Sequence, residues 1–394
     1  MLELLYAIRT PWGWGPMATT SQQHEESRPF RREDLPVFNA NRMKLGLFGT
    51  NCSQGSMMTG APSGYEVTWE HTRKVAKIAD RMGIEMLMPI ARWRGLGGST
   101  DFNGVNYETI TWAAALSQVT EQIMLFGSTH VPTKHPIVAA KEVVTAEHAA
   151  GGRFGLNAVM GWFTPEMEMF GGRQREHDDR YRMGSEWIEI CQRLWREETF
   201  DWDSEYFHLR QAQAHPGPLS APNPVLVSAG TSPAGQAFSA KYCDFNFITF
   251  GTFDEARQIS RNVRRMARED YGRDTGIMTY GYLICRDTEE EARRARDLMM
   301  EHADWGAANN VLAALGVLDN QYATQAASMQ ERFILGWGGY PFVGSPEQVV
   351  DTFAQASDAG IDGVVFGLLD FAEELEHLDS TLLPLMREAG LRVT

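Results

Sequence analysis

From residue 43 onward the chain alternates two kinds of hydrophobic pattern. Short runs that are apolar at nearly every position occur at 43–49 (MKLGLFG), 84–90 (IEMLMPI), 122–128 (QIMLFGS) and 153–159 (RFGLNAV). They recur at 225–230 (VLVSAG), 244–250 (DFNFITF), 277–285 (IMTYGYLIC) and 362–369 (DGVVFGLL), eight in all. A run apolar on both faces suits a parallel strand covered on both sides, because a half-exposed antiparallel strand would alternate. Between the runs the apolar residues space out to every third or fourth position. Trp187, Ile188, Cys191, Leu194 and Trp195 form such a stripe within 180–196, and Phe371, Leu375, Leu378 and Leu382 form another. Each stripe puts its apolar side chains on one helix face, turned toward a core. Strand and helix alternating eight times predicts an α/β fold, a (β/α)8 TIM barrel with insertions; an open doubly wound sheet would show the same alternation.

The pattern sets the domain organisation. Residues 1–42 read as an N-terminal tail, partly disordered or extended, and 43–394 as a single barrel domain. Three connections exceed simple turns. The segment 161–179 (GWFTPEMEMFGGRQREHDD) follows the fourth strand, at the end where barrels build active sites. The segment 198–224 predicts a small hairpin and then a proline-fixed extended run. The segment 303–344 holds one helix-like part and a glycine-rich end, GWGGYPFVG, suited to a lid or an oligomer contact.

Composition narrows the function. A formal charge of -15 argues against nucleic acid, because phosphate contacts need clustered Lys and Arg. A small-molecule ligand is the better expectation. Cys52, Cys191, Cys243 and Cys285 lie far apart without CxxC spacing and read as reduced structural thiols. No HExxH pairing supports a metal. No apolar run reaches the roughly 18 residues of a membrane span, and the start lacks a secretory pattern, so a cytoplasmic enzyme without membrane contact is expected.

In a barrel, chemistry gathers where strands end. Those positions are polar here: Thr50, Asn51 and Cys52; Ala91, Arg92 and Arg94; Ser128, Thr129 and His130; and Asn157. Asn157 is either an internal fastening or a ligand contact. In AGTSPAGQAF (229–238), Ser232 can N-cap a helix with Pro233 at its first position. Free N–H groups at that helix start suit a phosphate, although a cap without ligand has the same pattern. Arg180 and Tyr181 in EHDDRYR could reach the same anion, or Arg180 could pair with Asp178 or Asp179. GxGxxG, GxxxxGK[ST] and GxSxG are absent, which removes dinucleotide, triphosphatase and serine-hydrolase readings.

The phrases GGRFGLNAVMGWFTPEMEMFG, EHDDRYR, AGTSPAGQAFSAKYCDFNF and VGSPEQV resemble the luciferase-like FMN-dependent two-component monooxygenases, nearest the branch of pyrimidine and dimethylsulfone monooxygenases. The likeness runs from about Met43 to about Arg387. It implies a luciferase-like barrel with FMN across its C-terminal mouth, contacted by Ala91, Arg92, Asn157, Glu166, Arg180, Tyr181 and Ser232. It further implies that reduced FMN comes from a separate NAD(P)H-dependent flavin reductase and that O2 then oxygenates a small organic substrate, a nitrogen heterocycle such as a pyrimidine or pyridine, or a sulfone. Oxygen addition at flavin C4a or N5 stays open. His130 and Asn51 are the candidate catalytic residues, His130 as a proton donor or a hydrogen-bond partner of a ring substrate. Arg92 and His130 stand where the pyrimidine branch has a lysine and a small hydroxyl residue, which puts uracil in doubt. Met57, Met58, Trp93, Trp112 and Phe163 are candidates for an apolar pocket or for core. A homo-oligomer is expected. A deazaflavin-dependent hydride-transfer enzyme and a non-catalytic flavin-binding barrel are the alternatives on the same fold.

Overall fold

The structure, a computed structural model, describes residues 32–196, 199–316 and 323–393. Its first half runs β1 (Lys44–Phe48), α1 (Trp69–Arg81), β2 (Met86–Met88), α2 (Thr109–Leu116), β3 (Met124–His130), α3 (Pro136–Ala149), β4 (Phe154–Val159), α4 (Thr164–Met169) and α5 (His177–Leu194). A hairpin of β5 (Phe200–Asp203) and β6 (His208–Ala212) follows, then β7 (Val225–Ala229), α6 (Pro233–Tyr242), β8 (Phe245–Ile248), α7 (Phe253–Tyr271) and β9 (Gly276–Cys285). The last part comprises α8 (Glu289–Glu301), α9 (Trp305–Ala314), α10 (Ala323–Gly336), β10 (Tyr340–Gly344), α11 (Pro346–Asp358), β11 (Gly363–Gly367) and α12 (Phe371–Glu388).

Each of the eight apolar runs carries one strand of a closed parallel barrel, in the order β11, β1, β2, β3, β4, β7, β8, β9 and back to β11. Closure rules out the open doubly wound sheet. Inside it, Met86, Met88, Met124, Phe126, Val225, Val227, Phe245, Phe247, Met278 and Val365 form one cluster. A larger apolar layer fills the space between strands and helices. Burying each large side chain contributes about 1.5–3 kcal/mol, so these two layers account for the fold's cohesion.

The barrel floor corrects the reading of 1–42 as tail. Residues 32–38 make two 3-10 turns whose Leu35 and Val37 are buried in the barrel interior. Phe38 stacks on Phe245 with centroids 5.2 Å apart. Residues 1–31 lie outside the described residues. The floor is locked by Glu85, at the start of the β2 run. One of its oxygens accepts from Asn39 Nδ2 (2.9 Å) and Asn41 Nδ2 (2.5 Å), the other from Leu45 N and Arg392 Nη1 (both 2.8 Å). Arg392 also donates to Gly83 O at 2.7 Å.

The insertions differ from expectation at 303–344. The 198–224 segment contains the expected hairpin, antiparallel β5–β6. The 303–344 segment contains two helices, α9 and α10, and its glycine-rich end is strand β10, parallel to the outer half of β9 from Tyr340↔Gly281 to Gly344↔Cys285. A backbone ladder can recruit such a segment without any apolar alternation of its own. These elements build a second core, with Met57, Met58, Leu96, Phe102, Phe163, Tyr282, Val311, Leu312, Phe333 and Ile334. Asp304 fastens it to the loop after β2, accepting from Thr100 N (2.8 Å), Thr100 Oγ1 (2.7 Å) and Ala307 N (3.0 Å). Met58 N donates to Ile334 O at 2.7 Å, joining the loop after β1 to α10. The result is a roof over the C-terminal mouth.

Candidate active site at the barrel mouth

A cavity of about 290 Å³ opens between the strand ends and this roof. Ala91, Arg92, His130, Asn157 and Ala229 line its sides, and Phe333 and Trp337 hang from the roof. Trp337 has a backbone φ of 57°, in the left-handed region that bulky residues avoid. Such strain is held by surrounding structure and tends to mark functional sites. Here it turns the indole toward Arg92, whose guanidinium carbon lies 5.7 Å from the Trp337 ring centroid, 5.1 Å from Trp162 and 5.7 Å from Phe163.

Arg92 is held from below by Glu166, in the first turn of the short helix α4 where the helix dipole favours an acid. One Glu166 oxygen accepts from Trp93 N (2.7 Å) and Arg94 N (3.3 Å), which fixes the turn that carries Arg92. The other oxygen lies 3.3 Å from Arg92 Nη1 and 3.7 Å from His130 Nδ1, and all three side chains are buried. These are ion-pair distances without aligned hydrogen bonds. Arg92 Nε and Nη1, Glu166 Oε2 and His130 Nδ1 therefore have no hydrogen-bond partner. An unpaired buried polar atom costs about 1–3 kcal/mol, so four in one spot are the mark of a site shaped for something other than stability.

Burial, reinforced by the Arg92 charge, pushes the His130 pKa down to about 3. The imidazole is neutral at ordinary pH, so His130 fits the hydrogen-bonding role and not that of a cationic acid. Asn51 is corrected more firmly. Its amide donates to Ile90 O (2.9 Å) and Tyr107 O (3.2 Å) and accepts from Ile90 N (2.9 Å), which fastens the ends of β1 and β2 and leaves it nothing for chemistry. For Asn157 the internal fastening is present. Nδ2 donates to Ser128 Oγ at 3.0 Å, while Oδ1 is buried without a partner on the cavity wall.

Two of the candidate anion-binding residues, Ser232 and Tyr181, meet at the turn after β7. Ser232 caps α6, accepting from Gly235 N at 3.2 Å, with Pro233 at the first turn as its sequence predicts. The Tyr181 phenol hydroxyl lies beside the same serine, which opposes the rise that burial gives its pKa. A Cβ on Gly230 would lie 2.9 Å from that hydroxyl and 2.7 Å from Gly235 Cα, so the approach needs glycine at both positions. Arg180 donates through Nη1 to Gly161 O, and its buried Nε has no partner. It is not paired with Asp179, because Arg175 (2.9 Å), Arg182 (2.8 Å) and the Tyr206 hydroxyl of the hairpin take that carboxylate. A second, more polar cavity of about 450 Å³ adjoins the first and shares Ala91, Arg92, Ser128 and His130 as a common wall.

Of the apolar candidates, Met57, Met58 and Phe163 pack in the second core, Trp112 lies in the helix layer, and Trp93 is exposed, edge-on to Phe170 at 5.3 Å. Sequence reasoning missed Trp162 and Trp337, which flank Arg92. The only available signal was a tryptophan inside each of two glycine-bearing loops, GWFTP and GWGGYP. Among the described residues no group of three His, Cys, Asp or Glu could hold a metal, and no helix is long and apolar enough to cross a membrane. The four cysteines are buried and free.

A closed eight-stranded barrel with its polar site under a roof of insertions at the C-terminal mouth is the architecture of a barrel enzyme. The chain belongs to the luciferase-like monooxygenase family, whose model matches residues 43–363. It is 29% identical over 368 residues to the pyrimidine monooxygenase RutA of a Bradyrhizobium species, covering 89% of this chain and 99% of that one. It is 27% identical over 352 residues to the FMNH2-dependent dimethylsulfone monooxygenase of Pseudomonas putida, covering 88% and 96%. The fold is shared with long-chain alkane monooxygenase LadA, with a TM-score of 0.79 and 18% identity over 89% of this chain and 93% of that one. The class is that of a flavin-dependent monooxygenase acting on small organic molecules.

Proposed function

We propose that the chain takes reduced FMN as a co-substrate from a separate NAD(P)H-dependent flavin reductase and, with O2, oxygenates a small nitrogen heterocycle or sulfone in a catabolic reaction in the cytoplasm. The observation that carries this reading is the cradle at Ser232, Tyr181 and Arg180, with its unpartnered buried Nε, beside a cavity that begins at Ala229. A helix N-terminus, two hydroxyls and a guanidinium with a free edge fit a phosphate monoester. Asn157 Oδ1 and the Ala91–Arg92 segment lie further along the same wall, where a flat heterocycle with hydrogen-bonding edges would rest.

Reduced FMN, when bound, supplies the activation of oxygen. The chain's own residues anchor the phosphate, orient the ring edge through Asn157 and exclude water with the roof of Phe333 and Trp337. Neutral His130 offers a hydrogen bond to the substrate. The absence of a dinucleotide motif agrees with a reductase that acts elsewhere. Ser232→Ala combined with Arg180→Ala should weaken FMN binding about 100-fold, from a loss of about 3 kcal/mol in hydrogen bonds, one of them charge-assisted. Unchanged affinity in a flavin fluorescence titration would sink the cradle assignment. Incorporation of one oxygen-18 atom from labelled O2 into a heterocycle or sulfone, with a flavin reductase present, tests the reaction; turnover with a deazaflavin under anaerobic conditions would contradict it.

A further inference from the structure

Among the described residues Arg92 is the only ionised side chain on the wall of the 290 Å³ cavity, and it is already balanced. Glu166 Oε2 lies 3.3 Å from its Nη1, and both side chains are almost wholly buried. Burial lowers the Arg92 pKa and the Glu166 charge opposes that; two opposite charges 3.3 Å apart sum to zero. His130 adds no charge, since its pKa is pushed to about 3. In the neighbouring cavity Lys134 is matched too, 2.5 Å from Glu142 and 3.8 Å from Glu108. What the site leaves open is hydrogen bonding: Arg92 Nε and Nη1, the His130 ring nitrogen Nδ1, Glu166 Oε2 and Asn157 Oδ1 have no partner. The guanidinium lies against Trp162, Phe163 and Trp337, so a ligand meets its N–H edge and not its π face.

From this geometry we propose that Glu166 is a specificity-determining residue, which neutralises Arg92 so that the mouth accepts small, uncharged molecules bearing an acceptor oxygen and rejects carboxylates and sulfonates. The physical reason is charge balance. An anion brought into this cavity would be buried beside a pair that already sums to zero, and a buried charge without its own counter-ion is costly. A neutral S=O, N–O or C=O oxygen gains the unpaired Arg92 N–H groups without that cost. Removing the Glu166 charge while keeping its shape turns Arg92 into an uncompensated cation, which should invert the preference. This inference rests on the monooxygenase reading above for its use in catalysis, but its test does not depend on turnover.

The experiment measures binding to the full chain by ligand-observed NMR titration, with and without oxidised FMN, using two near-isosteric pairs: dimethyl sulfone against methanesulfonate, and nicotinamide against nicotinate. In the native protein the neutral member of each pair should bind at least about 10-fold more tightly, the factor that about 1.4 kcal/mol yields. Glu166→Gln retains an oxygen for the Trp93 and Arg94 N–H groups and should shift the neutral-to-anion ratio at least about 10-fold toward the anions. Arg92→Met should weaken the neutral members without any gain for the anions.

Native protein that binds the anions as well as the neutral molecules, or that binds no neutral member, overturns the inference. So does a folded Glu166→Gln variant with an unchanged ratio. Should that variant fail to fold, the native ratio and Arg92→Met decide the matter. FMN affinity is followed separately by flavin fluorescence. Intact FMN binding with a preference for anions refutes the inference and leaves the functional reading standing, whereas loss of FMN binding by the native chain refutes the functional reading.

Discussion

The run that forms β2 has a buried arginine–glutamate pair at each end, and the two pairs are built in opposite ways. At the floor, Glu85 and Arg392 meet at 2.8 Å, and both oxygens of Glu85 accept from neighbours. At the mouth, Arg92 and Glu166 stand 3.3 Å apart with polar atoms of both left unpaired. Composition and burial are alike; satisfaction is not. A buried ion pair stabilises only when its remaining hydrogen-bonding capacity is met, so the floor pair closes the barrel while the mouth pair leaves polar atoms of both partners unsatisfied. In this molecule unmet valence separates the functional end from the structural one more clearly than charge does.

The contrast can be broken from either side. Glu85→Ala should have the largest effect, about 3–5 kcal/mol of stability, because it removes the buried carboxylate that balances the Arg392 cation and accepts from the Asn39 and Asn41 amides. Urea unfolding measures it, and the folded fraction should keep its FMN affinity; a loss under 1 kcal/mol would mean that the floor pair is no better built than the mouth pair. Arg92→Met should cost less, about 1–3 kcal/mol, since Glu166 keeps its two backbone N–H partners, yet it should slow oxygenation about 100-fold. Equal damage to stability by the two variants would erase the distinction.

A third effect concerns pH. His130 has a folded pKa of about 3, below the unfolded value of about 6.5, so the unfolded state binds more protons between these limits. Stability from this group is present above about pH 6.5 and is lost as the pH falls toward 3, by up to about 1.4 kcal/mol per pH unit. His130→Gln should flatten the fall in Tm between about pH 6 and 4. A slope identical to the native one would show that the imidazole does not titrate as its burial requires.

Much of the fold was legible because its signals are local. Eight apolar runs matched eight strands, since a parallel strand buried on both faces has no need of polar residues. The Ser232 cap was legible for the same reason: Ser, then Pro, then a helical run is a contiguous pattern whose hydrogen bond closes within three residues. The strand β10 was not legible, because its pairing with β9 lies in backbone groups that carry no side-chain signature. Residues 32–38 were misread as tail because their apolar content is small, and only the barrel interior gives Leu35 and Val37 a place to be buried.

The candidate site divides along the same line. Family resemblance supplied Arg180, Tyr181, Asn157 and Glu166 as cofactor contacts, but it left open what else each of them does. Whether Arg180 is bound to Asp179 depends on Tyr206, which arrives from a hairpin 27 residues away to help claim that carboxylate. Asn51 follows barrel strand β1 and Asn157 lies in β4, with two strands between them; they are the same residue type, yet one amide is fully used and the other keeps an unpartnered oxygen. Periodicity, caps and the polar character of strand ends are written in adjacent residues, because they express backbone geometry and the pairing of near neighbours. Which polar atoms stay unpaired, which charge is balanced and which histidine is neutral are decided by groups brought within a few ångströms from distant parts of the chain. Those distances exist only once the barrel has closed.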